Sequence, residues 1–432
     1  MRNILVLDPG SSSLKFVLFR AGDLPLDIDT ANTQPELERA ISGAVERIGA
    51  PGTQLFIETA QAHRSITPLN PMSLEETLKR IVEVAIGSIR STDIGNTLQP
   101  AGILMPADQA IDAIACRVVH GGEQFTGATE VTAEVVEAIR ALSPLAPLHN
   151  PVAADLIEIC LRLAPVRPIS AHFDTTFHRN IPQVAQTYAL PGNVCEAHRI
   201  HRYGFHGLAH QYVADSLKAA IAVQSNINVP LHSRLVTCHL GNGASVCAIR
   251  DGISIDTSMG MTPMEGLVMG TRSGDVDPGL LLYLLRHGGY TPEGLDHLLN
   301  RSSGLLGVSG ISNDLRDLER AADTGDCRAQ LAMDLFAYRV AKTVGSYFVA
   351  LGGMDGLAFS GGIGEHSARM RSGIAAWLAC LGVQLDRDRN NAANGSNIER
   401  ISVDHCACQV WVIPADESLQ MAQECFALLF AS

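Results

Sequence analysis

Two segments, one near the start of each half of the chain, follow the same residue pattern, and this repeat constrains the fold more than any other feature. Residues 3–22, NILVLDPGSSSLKFVLFRAG, and residues 234–252, RLVTCHLGNGASVCAIRDG, each contain two apolar runs around a turn of glycine, serine and one aspartate or asparagine. Each segment is typical of a β-hairpin. The pair indicates a duplicated domain with two turns that could bind phosphate through backbone N–H and hydroxyl groups. Chance similarity between unrelated hairpins is the alternative.

The first turn contains Asp8, Gly10, three serines and Lys15, but it is not a Walker A loop. That motif requires a Lys-Ser/Thr pair that opens a helix. Here the lysine opens the run Phe-Val-Leu-Phe, which is typical of a strand. An ordinary Pro-Gly-Ser hairpin turn and a phosphate-binding turn both fit the residues.

Length and composition narrow the class of protein. A chain of 432 residues, 46% hydrophobic and 18% charged, exceeds the size at which a single core stops growing, so we expect two globular domains. A net charge of −13 argues against a nucleic-acid surface. No apolar run approaches the ~18 residues of a membrane span, and the chain enters its first strand without a signal-peptide region. With ten scattered cysteines that are typical of reduced thiols, these features predict a cytoplasmic enzyme without nucleic-acid or membrane partners.

Hydrophobic periodicity predicts an α/β protein. The predicted strands lie near residues 3–7, 15–20, 113–119, 168–173, 234–240, 244–250, 253–256 and 357–360. The predicted helices lie near residues 132–142, 152–163 and 329–351, the last with Leu331, Leu335, Phe336, Val340 and Val344 on its buried face. Residues 387–397, RDRNNAANGSN, predict a flexible loop.

Further segments carry a more specific pattern. They are RVVHGGE (117–123), APLHNP (146–151), FDTTFH (173–178), YGFHG (203–207), HLGNG (239–243), SMGMTPMEGLVMGTRSGDVDP (258–278), SGLLGVSGISNDLRDL (303–318) and FSGGIGEHS (359–367). In this order they resemble the acetate kinase family over nearly the whole chain, and propionate and butyrate kinases share much of the pattern. The resemblance implies the acetate and sugar kinase/actin superfamily, with two duplicated RNase H-like α/β domains and an active site in the cleft between them. The implied domains are residues 1–178 and 179–417, and a C-terminal helix at 418–432 would pack back on the first domain.

The same resemblance implies a reaction. It is the reversible transfer of the γ-phosphoryl group of ATP to the carboxylate of acetate, giving acetyl phosphate and ADP, a step of acetyl-CoA biosynthesis. Mg²⁺ or Mn²⁺ is the implied cofactor, and a homodimer is the implied assembly. The alternatives are a propionate or butyrate kinase and a non-catalytic nucleotide-binding switch of the same superfamily. A pure switch needs no carboxylate site, so the retained arginines and acyl pocket argue against it.

Transfer of a phosphoryl group between two anions depends on positioning and on neutralising the charge of the phosphoryl oxygens. By resemblance, Arg117 and Arg272 are the active-site arginines, and their guanidinium groups suit oxyanions. His206 would donate a hydrogen bond to the transferring group, His149 would position substrate, and Asp174 would orient an active-site group or the substrate carboxyl. A surface ion pair is the ordinary alternative for either arginine, and a structural Arg–Asp pair for the aspartate.

His206 and His210, four residues apart, also fit two ligands of a zinc site. The glycine that follows His206, and the lack of a glutamate where a metalloprotease helix carries one, argue against zinc.

The resemblance also assigns binding residues. The acyl pocket would consist of Val119, Leu148, Phe205 and Pro263, beside Arg117, and the valine is associated with a pocket that favours acetate. One methylene in such a pocket is worth ~1–3 kcal/mol, so propionate would be a poorer substrate. The nucleotide and its phosphates would contact Ser11, Ser13, Lys15, His239, Leu240, Gly241, Asn242, Gly243, Asp314, Leu315, Arg316, Gly361, Gly362, Ile363 and Gly364.

The metal would be held by Asp8 and Glu417. The latter lies in the segment PADES, where a favourable charge at a helix N-terminus is its alternative role. Asp8 stands where the family usually carries asparagine, and it restores the aspartate common in the wider superfamily. His366 also replaces a usual asparagine, which leaves the nucleotide preference open. Leu208 and Ala209 stand where threonine and serine are usual.

Overall fold

A computed structural model describes residues 2–22, 36–90, 110–225 and 232–431. The chain forms two compact units. Unit 1 consists of Met1–Thr176 and Glu417–Ser432, and unit 2 of Phe177–Asp416.

Unit 1 contains a sheet with helices packed against it. The strands are β1 (Arg2–Pro9), β2 (Ser13–Ala21), β3 (Leu37–Glu46), β4 (Gln54–Thr59), β5 (Arg64–Pro68), β6 (Ala113–Val118), β7 (Thr129–Glu130) and β8 (Ile169–Phe173). The helices are α1 (Leu74–Arg90), α2 (Ala133–Ala141), α3 (Asn150–Leu163) and, from the end of the chain, α15 (Glu417–Phe430). The strand order is β5-β4-β3-β2-β1-β6-β8-β7. Helix α15 packs against β1 and β6.

Unit 2 contains a smaller sheet and more helices. The strands are β9 (Arg234–Leu240), β10 (Ala244–Arg250), β11 (Ile253–Thr257), β12 (Gly356–Ser360), β13 (Glu399–Arg400) and β14 (Gln409–Val412). Their order is β11-β10-β9-β12-β14-β13. The helices are α4 (Gln183–Gln186), α5 (Gly192–His198), α6 (Gly207–Ser225), α7 (Pro278–His287), α8 (Pro292–Arg301), α9 (Gly304–Ser309), α10 (Leu315–Asp323), α11 (Cys327–Leu351), α12 (Gly361–His366), α13 (Ala368–Leu378) and α14 (Arg387–Ala392).

The two sheets share one topology. In unit 1, β3, β2 and β1 are antiparallel neighbours, and β1, β6 and β8 then run parallel. In unit 2, β11, β10 and β9 are antiparallel, and β9, β12 and β14 run parallel. The two repeated sequence segments form the corresponding hairpins, β1–β2 and β9–β10. The predicted α/β fold of two duplicated RNase H-like domains is therefore confirmed.

The central strands explain why these segments pair in the interior. Four consecutive residues of β1, from Ile4 to Leu7, are buried, as is every residue of β12. Strands with both faces buried need apolar side chains at nearly every position, which is the pattern that the sequence shows. Parallel neighbours bring their carboxyl ends to the same edge of each sheet, so residues that follow β1, β6 and β8, or β9 and β12, become neighbours.

Several sequence-based expectations differ from the structure. The expected loop at 387–397 begins with α14, because Asp386 caps it by accepting hydrogen bonds from two backbone N–H groups. On α11, Leu331 is exposed and Leu335 is partly buried, since the buried face follows Ala332, Phe336 and Val340 instead. Periodicity also missed many elements, among them β3, β4, β5, α1 and α6. Among the described residues no helix is long and apolar enough to cross a membrane.

Candidate active site

The parallel strands of unit 1 place three predicted site residues at one edge of the sheet. Asp8 lies near the end of β1, Arg117 near the end of β6, and Asp174 directly after β8. Arg117 donates from Nε and Nη2 to the two oxygens of Asp174, at 2.9 and 2.6 Å, and from Nη1 to Oδ1 of Asp8 at 2.9 Å. Glu417, the first residue of α15, brings its Oε2 to 3.8 Å from Nε of the arginine.

Lys15, at the start of β2, completes this group, with its Nζ 3.7 Å from Oδ2 of Asp8. We call Asp8, Lys15, Arg117, Asp174 and Glu417 the Arg117 cluster. Two cations face three carboxylates in it, so the cluster carries one more negative than positive charge. The intervening turn is closed by a 2.8 Å hydrogen bond from Gly10 N to Ser13 O, with Ser11 exposed and Ser13 partly buried.

Burial and neighbouring charges shift the pKa values of Asp8, Asp174 and Arg117 in different ways. Burial favours the neutral form of Asp8, but Arg117 and Lys15 outweigh it and lower the pKa of that carboxyl. Burial raises the pKa of Asp174 to about 6, against the opposing charge of Arg117. Burial also disfavours the charge of Arg117, yet the surrounding carboxylates raise its pKa well above the usual value. The guanidinium is therefore charged and tightly held.

Asp8 and Glu417, the two residues predicted to hold a divalent cation, both belong to this cluster. Their carboxylate oxygens lie 2.9 and 3.8 Å from nitrogens of Arg117, and Mg²⁺ in phosphate-binding sites uses one or two protein carboxylates while keeping several waters. Within the described ranges no three histidine, cysteine or acidic side chains are grouped so that they alone could hold a metal.

Three further predicted site residues, Val119, Leu148 and His149, also lie in unit 1. Val119 follows β6 and is partly buried, while His149 occupies the position just before α3. Leu148, predicted to line an apolar pocket, has 53% of its surface exposed within this chain.

The corresponding edge of unit 2 is rich in glycine. The turn after β9 is closed by a 2.9 Å hydrogen bond from Gly241 N to Gly243 O, and Leu240 is buried beneath it. Gly361 opens α12 with φ +73°, and a Cβ at this position would lie 2.7 Å from the carbonyl oxygen of Leu240. Only glycine allows both that dihedral and that approach. We call residues 241–243 and 361–364 the glycine cluster.

Side chains tie this cluster to its surroundings. Nδ2 of Asn313 donates to Oδ1 of Asn242 at 2.9 Å, which brings the segment 312–318 beside the turn. Asp314 caps α10 and pairs with Arg316, and these hydrogen bonds lower the pKa of the aspartate to about 2. The side chain of Leu315 is buried. Ile363 is partly buried, and Gly362 and Gly364 complete α12.

His206 and Arg272 both border the glycine cluster. A Cβ built on Gly243 would lie 3.4 Å from Cε1 and Nε2 of His206 and 3.9 Å from Nη1 of Arg272. Arg272 donates from Nη1 to the carbonyl oxygen of Pro263 at 3.0 Å, and burial lowers its pKa. In the described part of the chain no carboxylate pairs with this arginine.

His206 has an unusual backbone for a residue with a side chain, with φ +57° immediately before α6. Such a conformation costs of order 1 kcal/mol or more and is held by its surroundings. Nε2 of the buried His178 lies 3.0 Å from the carbonyl oxygen of the preceding Phe205, which is itself buried. The ring Nδ1 of His206 lies 2.9 Å from Oγ of Ser245, and the ring of His239 is 4.9 Å away.

Other residues that shape this site were missed by sequence reasoning. Glu265 is hydrogen-bonded to both Tyr188 and Arg202, and Arg202 also donates to the carbonyls of Thr257 and Met259. These bonds hold the segment that carries Pro263. Glu365 accepts from Gly361 N at 2.7 Å and so fixes the start of α12. Only Glu265 and Glu365 gave a signal, because both lie inside the long motifs.

Comparisons with known proteins point to one family. The acetokinase family model matches residues 3–423. An acetate kinase from Caldicellulosiruptor bescii is 42% identical over 429 residues, 99% of each chain. A propionate kinase from Citrobacter koseri is 41% identical over 98% of this chain and 95% of its own length. The crystal structure of the Porphyromonas gingivalis acetate kinase has a TM-score of 0.84 at 35% identity, covering 99% of this chain and 100% of that one.

Two sheets of one topology, each with an arginine near the carboxyl ends of its parallel strands, define a phosphotransferase of the duplicated RNase H-like class. The chain belongs to the acetokinase family, whose enzymes use a carboxyl group as phosphoryl acceptor.

Proposed function

We propose that this enzyme transfers the γ-phosphoryl group of ATP reversibly to acetate, giving acetyl phosphate and ADP. The observation that carries the proposal is the position of Arg272 and His206 beside the glycine cluster. A partly buried cation with no carboxylate partner among the described residues attracts an anion, and a neighbouring imidazole can donate a hydrogen bond to it. Phosphoryl transfer requires this combination of a fixed positive charge and a directed donor.

The two units would take different roles. In unit 2, the glycine cluster, His239 and the segment around Asp314 would bind the nucleotide, with backbone approaching it at Gly361 and Gly362. In unit 1, Ser11, Ser13 and Lys15 would contact phosphate, while Asp174 would hold Arg117 in position for the substrate. This division follows the predicted domains, residues 1–178 and 179–417 with a terminal helix at 418–432, and those boundaries stay a prediction.

Mg²⁺, or Mn²⁺ in its place, would be held by Asp8 and Glu417. When bound, the ion would neutralise phosphate charge and reduce repulsion between the phosphates and the carboxylates of the Arg117 cluster. The excess negative charge of that cluster supports the assignment, because phosphate would otherwise be repelled from it.

Acetate is the proposed acceptor because Val119 would leave only a small space for the acyl group. Leu148, Phe205, Pro263 and His149 would complete the pocket. A longer acid is the second candidate, because propionate kinases are among the relatives. One methylene changes such a preference by only ~1–3 kcal/mol.

We also propose that the enzyme is a homodimer that buries α7. Its sequence, PGLLLYLLRH, is apolar around the whole helix, yet none of its residues is buried in this chain. A helix that is apolar all round is normally covered. Leu282 and Tyr283 are half-exposed or more, so Leu282→Glu with Tyr283→Glu should yield monomers by sedimentation velocity, whereas Val349→Glu, at an exposed site on α11, should not.

The deciding experiment traps acyl phosphate as its hydroxamate with acetate, propionate and butyrate side by side. We expect ATP-dependent product that requires Mg²⁺ or Mn²⁺, with the highest kcat/KM for acetate. A higher value for propionate or butyrate would reassign the substrate. ATP binding without turnover of any of the three acids would favour the non-catalytic switch.

A further inference from the structure

A buried chain of hydrogen bonds leads from the interior of unit 2 to the ring of His206. Nδ1 of His206 lies 2.9 Å from Oγ of Ser245. The same hydroxyl lies 2.7 Å from Nε2 of His210, whose Nδ1 lies 2.7 Å from Oγ1 of Thr237. Thr237, His210 and Ser245 are each fully buried.

The protonation state of His210 limits how hydrogens can be arranged along this chain. Burial, together with the neighbouring His178, His239 and His206, holds the pKa of His210 well below its usual value. The ring is therefore neutral and carries a single N–H. It donates through one nitrogen and accepts through the other.

Only one arrangement gives every buried hydroxyl hydrogen an acceptor. In it, Thr237 donates to Nδ1 of His210, Nε2–H of His210 donates to Ser245, and Ser245 donates to Nδ1 of His206. If the chain ran in the opposite sense, the hydroxyl hydrogen of Thr237 would have no acceptor among the described residues, and an unsatisfied buried donor is costly. If His206 and His210 both donated to Ser245, the serine hydrogen would be stranded in the same way.

We propose that Thr237, His210 and Ser245 are positioning residues that fix the neutral tautomer of His206, so that its proton is on Nε2. That nitrogen faces the turn at Gly243 and lies on the same side as Arg272. The tautomer makes His206 a hydrogen-bond donor at neutral pH without the need for an imidazolium. The inference rests on the proposed function in one respect, namely that this donor is used on the phosphoryl group.

The central test is Thr237→Val, which removes the terminal hydroxyl and nearly preserves the side-chain shape. Without it, Nδ1 of His210 has no partner in either direction, so the preference for one direction of the chain weakens and His206 should populate both tautomers. Nitrogen chemical shifts of ¹⁵N-histidine-labelled protein distinguish the tautomers, with the His206 signal assigned from His206→Gln. We expect Nε2–H alone in the wild type and a mixture in the variant. Ser245→Ala, which cuts the chain next to His206, should give a mixture as well.

Activity provides a second readout. The kcat of Thr237→Val should fall about three- to tenfold, the factor expected for one ordinary hydrogen bond, with KM for acetate and ATP unchanged.

Matched variants separate positioning from general damage. Thr237→Ser keeps the hydroxyl and should match the wild type. Thr77→Val makes the same substitution at a buried threonine on α1 of unit 1 and should alter neither tautomer nor kcat.

The outcomes test the hydrogen-bond chain separately from the proposed function. A wild-type His206 protonated on Nδ1, or an unchanged tautomer in both Thr237→Val and Ser245→Ala, would overturn the positioning role of the hydrogen-bond chain even if acetyl phosphate is made. A mixed tautomer together with wild-type kcat in Thr237→Val would show that catalysis does not use the Nε2 proton of His206. If the wild type makes no acyl phosphate, the proposed function fails. The nitrogen chemical shifts still show whether the hydrogen-bond chain fixes the tautomer of His206.

Discussion

Arg117 and Arg272 have the same side chain in opposite surroundings. Arg117 is bonded to Asp8 and Asp174 and lies near Glu417, so its donors are largely occupied. Among the described residues, Arg272 donates to one carbonyl oxygen, that of Pro263, and burial lowers its pKa. The first arginine is held in a cluster with excess negative charge. The second keeps its positive charge available for an incoming anion.

The difference shows that sequence motifs of equal strength do not imply equal roles. Removing one partner from a buried ion pair leaves uncompensated charge, so Arg117 should matter for stability as well as for activity. Arg272 has no compensating charge within the described ranges, and its removal relieves a desolvation cost. Its contribution should therefore be seen only in catalysis.

Arg117→Leu should have the largest effect, because it leaves three carboxylates without their shared cation. We expect activity to be nearly abolished and the free energy of unfolding to fall by about 2 kcal/mol or more. Hydroxamate assays and denaturant unfolding measure the two effects. Unchanged stability would show that the cluster is solvated in solution and that the comparison with Arg272 is wrong.

Arg272→Leu should cost catalysis alone. We expect a loss of at least ~2 kcal/mol of transition-state stabilisation, about thirtyfold in kcat/KM, with an unchanged or higher melting temperature. Arg387→Leu, at an exposed arginine on α14, is the control and should keep wild-type kinetics. Wild-type turnover with normal melting in Arg272→Leu would remove this arginine from the mechanism.

Asp8→Asn sharpens the comparison by removing one negative charge from the Arg117 cluster. If Asp8 helps to hold Mg²⁺, the concentration of magnesium for half-maximal rate should rise several-fold, while appreciable activity remains. A magnesium titration of both proteins at fixed ATP measures this shift. Superimposable curves would assign Asp8 to its bonds with Arg117 and Lys15 alone.

Val119→Ala should have the smallest effect. Val119 lies two residues after Arg117, and shortening it should enlarge the acyl pocket and shift preference towards propionate by ~1 kcal/mol, about fivefold. The ratio of kcat/KM for propionate and acetate measures the shift, with the ratio in Val166→Ala, at an exposed loop valine, as control. An equal ratio in wild type and variant would place Val119 outside the pocket.

The sequence by itself determined the elements whose signals are local. The hairpins at β1–β2 and β9–β10, the buried strand β12 and most of α11 follow from side-chain periodicity, and the boundaries of β9 and β10 agree to the residue. The long motifs identified the family. These features depend on residues a few positions apart, which is the range over which strand and helix patterns act.

Only the tertiary structure decided which charged groups form ion pairs and which polar groups share hydrogen bonds. Asp8, Arg117, Asp174 and Glu417 are far apart in the chain, and they become neighbours because parallel strands end at one edge and α15 returns to that sheet. The hydrogen bonds from Thr237 to His206 likewise join side chains of β9, β10 and α6. Motifs mark such residues as candidates, but a hydrogen bond or an ion pair depends on separations of a few tenths of an ångström, and only the packed fold sets those distances.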